Sequence, residues 1–325
     1  MLHITNGDSV RELIHGSGIP GTVLAWRDVL HEGPVPAGLS LDELREVRAH
    51  FIAECGWGDY TTVLHELYKR DTTLADFREH EEVVLWFEHD LYDQLQLIQL
   101  LHWFSRQDWA GTRLSLICIG AFPGVAKFYG LGQLSAEQIA SLYPTRTWVT
   151  DAQLALGRRA WQAFCSPDPM TLEALLAQGT IALPFLAAAL RRHLQQFPSI
   201  RNGLSRTENQ VLEALATGPF APRDLFKTTQ GREEVPFMGD TVFWTYLDRL
   251  ARGRKPLLAK TRNRRVVQVT RVGIQVHQRV EDCIRVRGID RWLGGVHLYG
   301  KTAWRWDEGR GRLIHVRSHP LGGLR

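Results

Sequence analysis

Two runs constrain this chain more than any other feature. VVLWF at 83–87 and LSLICIG at 114–120 are apolar almost throughout, and the helical segment LYDQLQLIQLLHWF lies between them. A strand with one wet face alternates apolar and polar residues, whereas a strand covered on both faces need not. Covered strands that alternate with helices belong to a parallel sheet between helical layers. The rest of residues 1–150 extends the pattern. Leu2–Thr5 (LHIT) reads as an opening strand, VRELIHGSG as a helix with Val10, Leu13 and Ile14 at helical spacing, and GTVLAWRDV as a second strand. Leu41–Glu54 is periodic and helical, SAEQIASLYP opens with a Ser135/Gln138 capping box, and TRTWV reads as a fifth strand. The expected class is α/β, a Rossmann-like parallel sheet with helices. No GxGxxG follows the first strand, so NAD is not expected.

Ligands of such sheets lie beyond the carboxyl ends of the strands, and three polar clusters fall there. The first is Asn6-Gly7-Asp8-Ser9. Gly7 permits close backbone approach and the helix N-terminus can hold an anion; a plain turn with Asp8 or Ser9 as N-cap is the favoured competing reading. The second is Asp28, His31 and Glu32 in WRDVLHEGPVP, which offer oxygen and nitrogen ligands or an acid–base pair. GPVP would hold them rigidly, and a solvated loop is the equal alternative. The third is Glu88-His89-Asp90, with Asp93 three residues on. Asp90 as N-cap with an acid at N3 accounts for Asp90 and Asp93. It leaves Glu88 and His89, and an inward-facing Glu88 needs a partner or a shifted pKa.

These clusters define the expected site. Asp28, Glu88 and Asp90 would hold a metal, with His31, Glu88 and His89 as catalytic groups or ligands. Asn6, Gly7, Asp8, Ser9 and Arg70 would contact a phosphate-bearing ligand or nucleotide. Arg70 suits a phosphate clamp, although KRDTT also reads as a helix-ending turn. Gln94, Arg27, Arg70 and Asp71 are weaker candidates than the three clusters. Hard oxygen ligands suit Mg or Mn, and histidine shifts the choice toward Mn or Zn.

HITNGDS, WRDVLHEGPVP and VVLWFEHDLYDQLQL resemble the bacterial domain-of-unknown-function family 1835 over about residues 1–120. WLGGVHL and WRWD are similar to the tails of its longer members. The resemblance implies no activity. It raises interest in Asn6, Asp8, Asp28, His31, Glu88, His89 and Asp90.

Residues 151–200 read as a helical bridge ending in the linker PSIRNG. Residues 201–280 then give three helices, LSRTENQVLEALA, PFAPRDLFKTTQ and MGDTVFWTYLDRLARG, and a hairpin, PLLAKTRNRRVVQVT. That is the order of a winged helix-turn-helix domain. Lys260, Arg262, Arg264 and Arg265 on the hairpin would contact phosphate, while Phe243 and Trp244 are unusual on a helix that enters a groove. Residues 281–325 form a small β-rich appendage. Its Trp292, Trp304 and Trp306 suit one buried strand face better than a base-stacking surface.

Charge separates the two halves. Residues 201–325 hold 24 Lys and Arg against 12 Asp and Glu; residues 1–200 hold 15 against 23, and the balances of +12 and −8 sum to +4. Lysine and arginine neutralise phosphates, so DNA or RNA is the expected partner of the basic half. The expected function is a nucleic-acid-associated protein with a metal- and phosphate-binding crevice, possible activity being metal-dependent phosphoester hydrolysis. The alternatives are a ligand-responsive transcriptional regulator without catalysis and a winged-helix scaffold for protein contacts. Four widely spaced cysteines and an N-terminus without a leader pattern suit reduced thiols and a cytoplasmic location. No membrane is expected, since the longest apolar runs are about half of the ~20 residues a spanning helix needs.

Overall fold

Strand β1 (Leu2–Thr5) is buried at all four positions and pairs in parallel with a strand on each side. The chain, described over residues 1–261, 265–301 and 303–316 of a computed structural model, divides into two compact units, Met1–Leu190 and Arg191–Arg325.

In the first unit, helix α1 (Asp8–Gly16) links β1 to β2 (Thr22–Ala25). A two-residue strand β3 (Gly33–Pro34) and helices α2 (Leu41–Glu54) and α3 (Tyr60–Ala75) then lead to β4 (Glu82–Glu88), on the other side of β1. Helix α4 (Leu91–Phe104) leads to β5 (Arg113–Ile119), and α5 (Ala136–Leu142) leads to β6 (Thr147–Trp148). The sheet order is β2-β1-β4-β5-β6. It is a mixed α/β fold with a mostly parallel sheet, as the apolar runs predict. TRTWV supplies the expected fifth strand, corrected in its direction: β6 has only two residues, both exposed, and runs antiparallel to β5. TRTWV lacks the continuous apolar character of a strand covered on both faces, and an edge position suits it.

β4 is buried at every position, as VVLWF requires. Val84 and Trp86 pack on one face with Val10 and Ile14 of α1 and Ile139 and Leu142 of α5. α4 is buried nearly all round, which accounts for the near absence of polar periodicity in LQLIQLLHWF. The polar residues it does carry are bonded inward: Gln96 donates to the Asp28 carbonyl at 3.1 Å, and Gln99 accepts from the Trp26 indole at 2.9 Å. α6 (Asp151–Phe164) meets α4 where Gly157 faces Leu101; a Cβ there would lie 2.4 Å from the Leu101 Cβ. Helices α7 (Met170–Gln178) and α8 (Leu186–Leu194) follow. The capping box at Ser135/Gln138 is present as expected.

In the second unit, α9 (Arg206–Leu215) starts at the capping box Ser205/Glu208. α10 (Pro222–Gln230), α11 (Asp240–Ala251) and an antiparallel hairpin of β7 (Leu258–Lys260) and β8 (Val267–Val269) follow. Phe243 is fully buried and, with Trp244, packs edge-on and tilted against Phe226. The aromatic residues of α11 are thus packing groups. Short helices α12 (Arg271–His277) and α13 (Cys283–Arg287) precede two hairpins, β9 (Ile289–Gly294) with β10 (Val296–Gly300), and β11 (Ala303–Asp307) with β12 (Arg312–Val316). Trp306 is buried on β11, while Trp292 and Trp304 are half-buried. Among the described residues, no helix is long and apolar enough to cross a membrane.

Candidate metal centre

From β1 the chain runs out to β2 on one side, then crosses to β4 on the other. The direction of winding therefore reverses between β1 and β4, and ligands of open α/β sheets bind at that reversal. At the carboxyl ends of these two strands lie Asn6, just past β1, and Glu88-His89-Asp90, of which Glu88 is the last residue of β4. The fold brings the first and third polar clusters together there.

Glu88, Asp90 and Asp93 are all buried, and one carboxylate oxygen from each lies within 4.8 Å of the others. The local sequence explains the clustering. Alternation along β4 puts Glu88 on the same side as Val84 and Trp86, so it ends a buried column. Asp90 is the N-cap of α4 and accepts from the Asp93 N–H at 2.9 Å. Asp93, at N3, does not turn to solvent. Its Oδ1 accepts from the Glu88 N–H at 2.8 Å and its Oδ2 from the Asn6 amide at 2.8 Å. The same Asn6 amide reaches Glu88 Oε1 at 3.4 Å, and the Leu131 N–H donates to that oxygen at 2.5 Å. Tyr92 donates to the Asn6 carbonyl at 3.3 Å, and Gln94 to the Glu88 carbonyl at 2.6 Å.

Burial and mutual repulsion make this cluster costly to ionise. Burial first, and then the charge of Asp90, raises Glu88 to about 8. Burial raises Asp90 to about 7, and burial with the charges of Asp90 and Glu88 puts Asp93 well above the ordinary carboxylate range. Four other buried acids pair with arginine: Asp28 with Arg48, Asp71 with Arg45 and Arg70, Glu82 with Arg146, Glu233 with Arg192. Among the described residues, Glu88, Asp90 and Asp93 make no ion pair. A buried, uncompensated set of three carboxylates must either keep protons or hold a cation.

One glycine shapes the enclosure. A Cβ at Gly130 would lie 2.1 Å from Glu88 Oε2, so the backbone before Leu131 closes directly onto the carboxylate.

Several expected residues take other places. Asp28 is not part of the cluster: its carboxylate accepts from Arg48 Nη2 at 2.7 Å and Nε at 3.0 Å, which occupies the charge the metal reading needed. Nor is WRDVLHEG a solvated loop, because Asp28, His31 and Glu32 are all buried. His31 lies edge-on to Tyr92 with ring centroids 6.0 Å apart. His89 is half-buried between Phe128 and Phe185, and burial lowers its pKa. The N-cap of α1 is Gly7, with no side-chain cap bond, in place of Asp8 or Ser9. Asp8 pairs with Arg11 at 2.9 Å and Arg27 at 3.3 Å, and Ser9 is exposed. Arg70 lies inside α3, which Asp59 caps through the Thr62 N–H, so KRDTT ends no helix. The Arg70 guanidinium stacks 3.9 Å above the Trp26 ring and pairs with Asp71 at 2.7 Å.

Arg70 also lines a cavity of about 550 Å³ with Arg11, Arg27, Lys69, Trp57 and Tyr92. Tyr92 connects this cavity to the acidic centre, since its hydroxyl bonds the Asn6 carbonyl. In the second unit, Lys260 pairs with Asp248 and Arg265 is exposed, while Arg262 and Arg264 fall outside the described residues.

The sequence favours capping for Asp93 and offers no sign of Gly130 and Leu131. The spacing Glu88–Asp90–Asp93 around a strand-to-helix turn was a usable signal; nothing in the sequence near 130 announces its approach to Glu88. No protein-family model matches the chain, and no curated protein matches it.

Proposed function

We propose that the first unit binds a divalent cation through Glu88, Asp90 and Asp93, and beside it a phosphate-bearing ligand, with phosphoester hydrolysis as the associated chemistry. The observation that carries this is that, among the described residues, three clustered buried carboxylates make no ion pair, while Asp28, Asp71, Glu82 and Glu233 each pair with arginine. An all-oxygen set favours Mg or Mn over Zn. A cation there would polarise a phosphoryl oxygen and acidify a bound water. Lys69 supplies positive charge along the adjoining cavity, beside Arg11, Arg27 and Arg70 in their ion pairs, with Trp57 as an apolar wall for a nucleotide ring. His31 and His89 are the candidates for proton transfer. Membership of family 1835 is part of the same proposal and rests on the N-terminal motifs.

For the second unit we read α9 to α11 and the β7–β8 hairpin as a winged helix that serves a nucleic acid, supported by the element order and the +12 balance of residues 201–325. A specific observation favours a protein partner for α11 itself: its more exposed positions include Asp240 and Asp248, which would face phosphate with the wrong sign.

The test is calorimetric titration of Mn²⁺ into metal-stripped protein, beside Asp93→Asn and Glu88→Ala/Asp90→Ala variants checked for folding by circular dichroism. One ion per chain is expected, with binding lost in the double variant and weakened at least tenfold in Asp93→Asn. Absence of binding, or equal binding by all three proteins, overturns the cation centre.

A further inference from the structure

We infer that the second unit carries its own phosphate-binding cavity, separate from both the hairpin and α11. A concavity of about 540 Å³ is lined by Arg191, Arg201, Arg206 and Arg279, with Trp306 and Asn202 also in its wall. That volume is in the range of small-ligand sites.

Its floor is fixed by backbone and amide bonds. The Trp306 N–H donates to the Pro198 carbonyl at 2.8 Å, and the Ile200 N–H to the Trp306 carbonyl at 2.9 Å. The Asn202 amide donates to Asn209 Oδ1 at 2.8 Å, and the Asn209 amide to the carbonyls of Leu204 and Ser205. The loop between α8 and α9 is thereby held as a rigid rim.

Its charge is in excess. The lining acids are Glu213 and Glu308, and Glu213 is already paired with Arg232, which lies outside the lining. Glu308 meets Arg201 at 3.6 Å, and Arg206 is engaged by Glu234 and Glu233. Arg191 and Arg279 make no ion pair among the described residues, and both are exposed. Two guanidinium groups are left for an anion to meet.

Arg279 also occupies a conformation that suits glycine. It follows α12 at φ 64°, and the next N–H, of Val280, donates to the Gln275 carbonyl at 2.9 Å, while the Arg279 N–H donates to the Val276 carbonyl at 3.1 Å. This is a Schellman closure, whose left-handed position is usually glycine. Arginine there carries backbone strain, and retained strain at a lining residue points to function. The chemistry of the site, exposed guanidinium groups beside an indole, suits a phosphate ester. Mononucleotide and single-strand phosphate share that chemistry.

The experiment uses the full chain in EDTA, so that any cation-dependent binding in the first unit is silent. Labelled single-stranded oligothymidylate is followed by anisotropy and ADP by calorimetry, with wild type, Arg279→Gly and Arg191→Ala/Arg279→Gly. Arg279→Gly removes the guanidinium and relieves the strain together, so its Tm should rise while affinity for the binding probe falls about tenfold. The double variant should lose about another tenfold. Loss on the oligonucleotide assigns the cavity to a nucleic-acid strand, and loss on ADP alone assigns it to a small nucleotide. If neither probe binds wild type, or both bind the double variant as tightly as wild type, the cavity is not a phosphate site.

Discussion

Asp93 shows how a single side chain can belong to two structures. Its backbone N–H closes the Asp90 cap, and its carboxylate, fully buried, joins Glu88 and Asn6. The sequence makes the first role visible and conceals the second, because a cap needs only local spacing while burial depends on which strand lies next to β4. Glu88 was legible for the opposite reason: an acid directly after five apolar residues is hard to place in solvent. The pH behaviour follows from the directions of the shifts. Folded-state pKa values raised to about 7 for Asp90 and about 8 for Glu88 lie above their unfolded values. Their contribution is therefore fully present below the ordinary carboxylate range and is lost as pH rises through about 7 to 8. Histidines such as His89, lowered by burial, act in the other sense as pH falls below about 6.5, so the comparison must be between variants. In EDTA at pH 8, Asp90→Asn should be more stable than wild type by about 1 kcal/mol, because one repulsive charge is gone and asparagine still caps α4. The gain should fade toward pH 5. Urea unfolding at both pH values measures this, and parallel pH dependences for the two proteins would remove the case for mutual repulsion.

At the scale of elements, the sheet was readable and the closure over it was not. Strands covered on both faces announce themselves by continuous apolar character, as β4 and β5 do, whereas β1 (LHIT) is covered on both faces without it. α3 escaped because its apolar stripe is weak and its buried side includes Arg70 and Asp71, polar residues that satisfy one another inside. The segment before Leu131 escaped because tertiary contact alone gives it meaning. That contact is testable. Gly130 sits in extended backbone, so alanine there meets no conformational penalty, only the Glu88 carboxylate 2.1 Å from the added Cβ. Gly130→Ala should push that carboxylate off the Leu131 N–H, costing about 1–3 kcal/mol of stability and most of the Mn²⁺ affinity. Glu88→Asp, one methylene shorter, should recover part of the stability in the Gly130→Ala background. A double-mutant cycle reports the coupling, and additive effects would show that Gly130 and Glu88 act independently.

Across the whole molecule, the charge balance of the basic half is compatible with two placements of a phosphate surface, the hairpin and the cavity. The hairpin drew attention because its cations are consecutive in sequence. Yet Lys260 is already paired with Asp248, and arginines from residues 191, 201, 206 and 279 gather around one concave surface. Sequence proximity is a poor guide to charge density once the chain folds, since what counts is which cations lack carboxylate neighbours. The two placements predict different salt dependences. Each phosphate contact to a single strand contributes about 0.7 to the slope of log K against log salt. If the cavity carries strand binding, Arg191→Ala/Arg279→Gly should reduce the magnitude of that slope by about 1.4. Lys260→Ala should leave it unchanged, because removing a cation already paired with Asp248 frees no counterion. Anisotropy titrations with oligothymidylate at several salt concentrations give both slopes. A slope reduced by Lys260→Ala but not by the double variant would return the nucleic-acid surface to the hairpin, and Asp248 would then have to release its partner on binding.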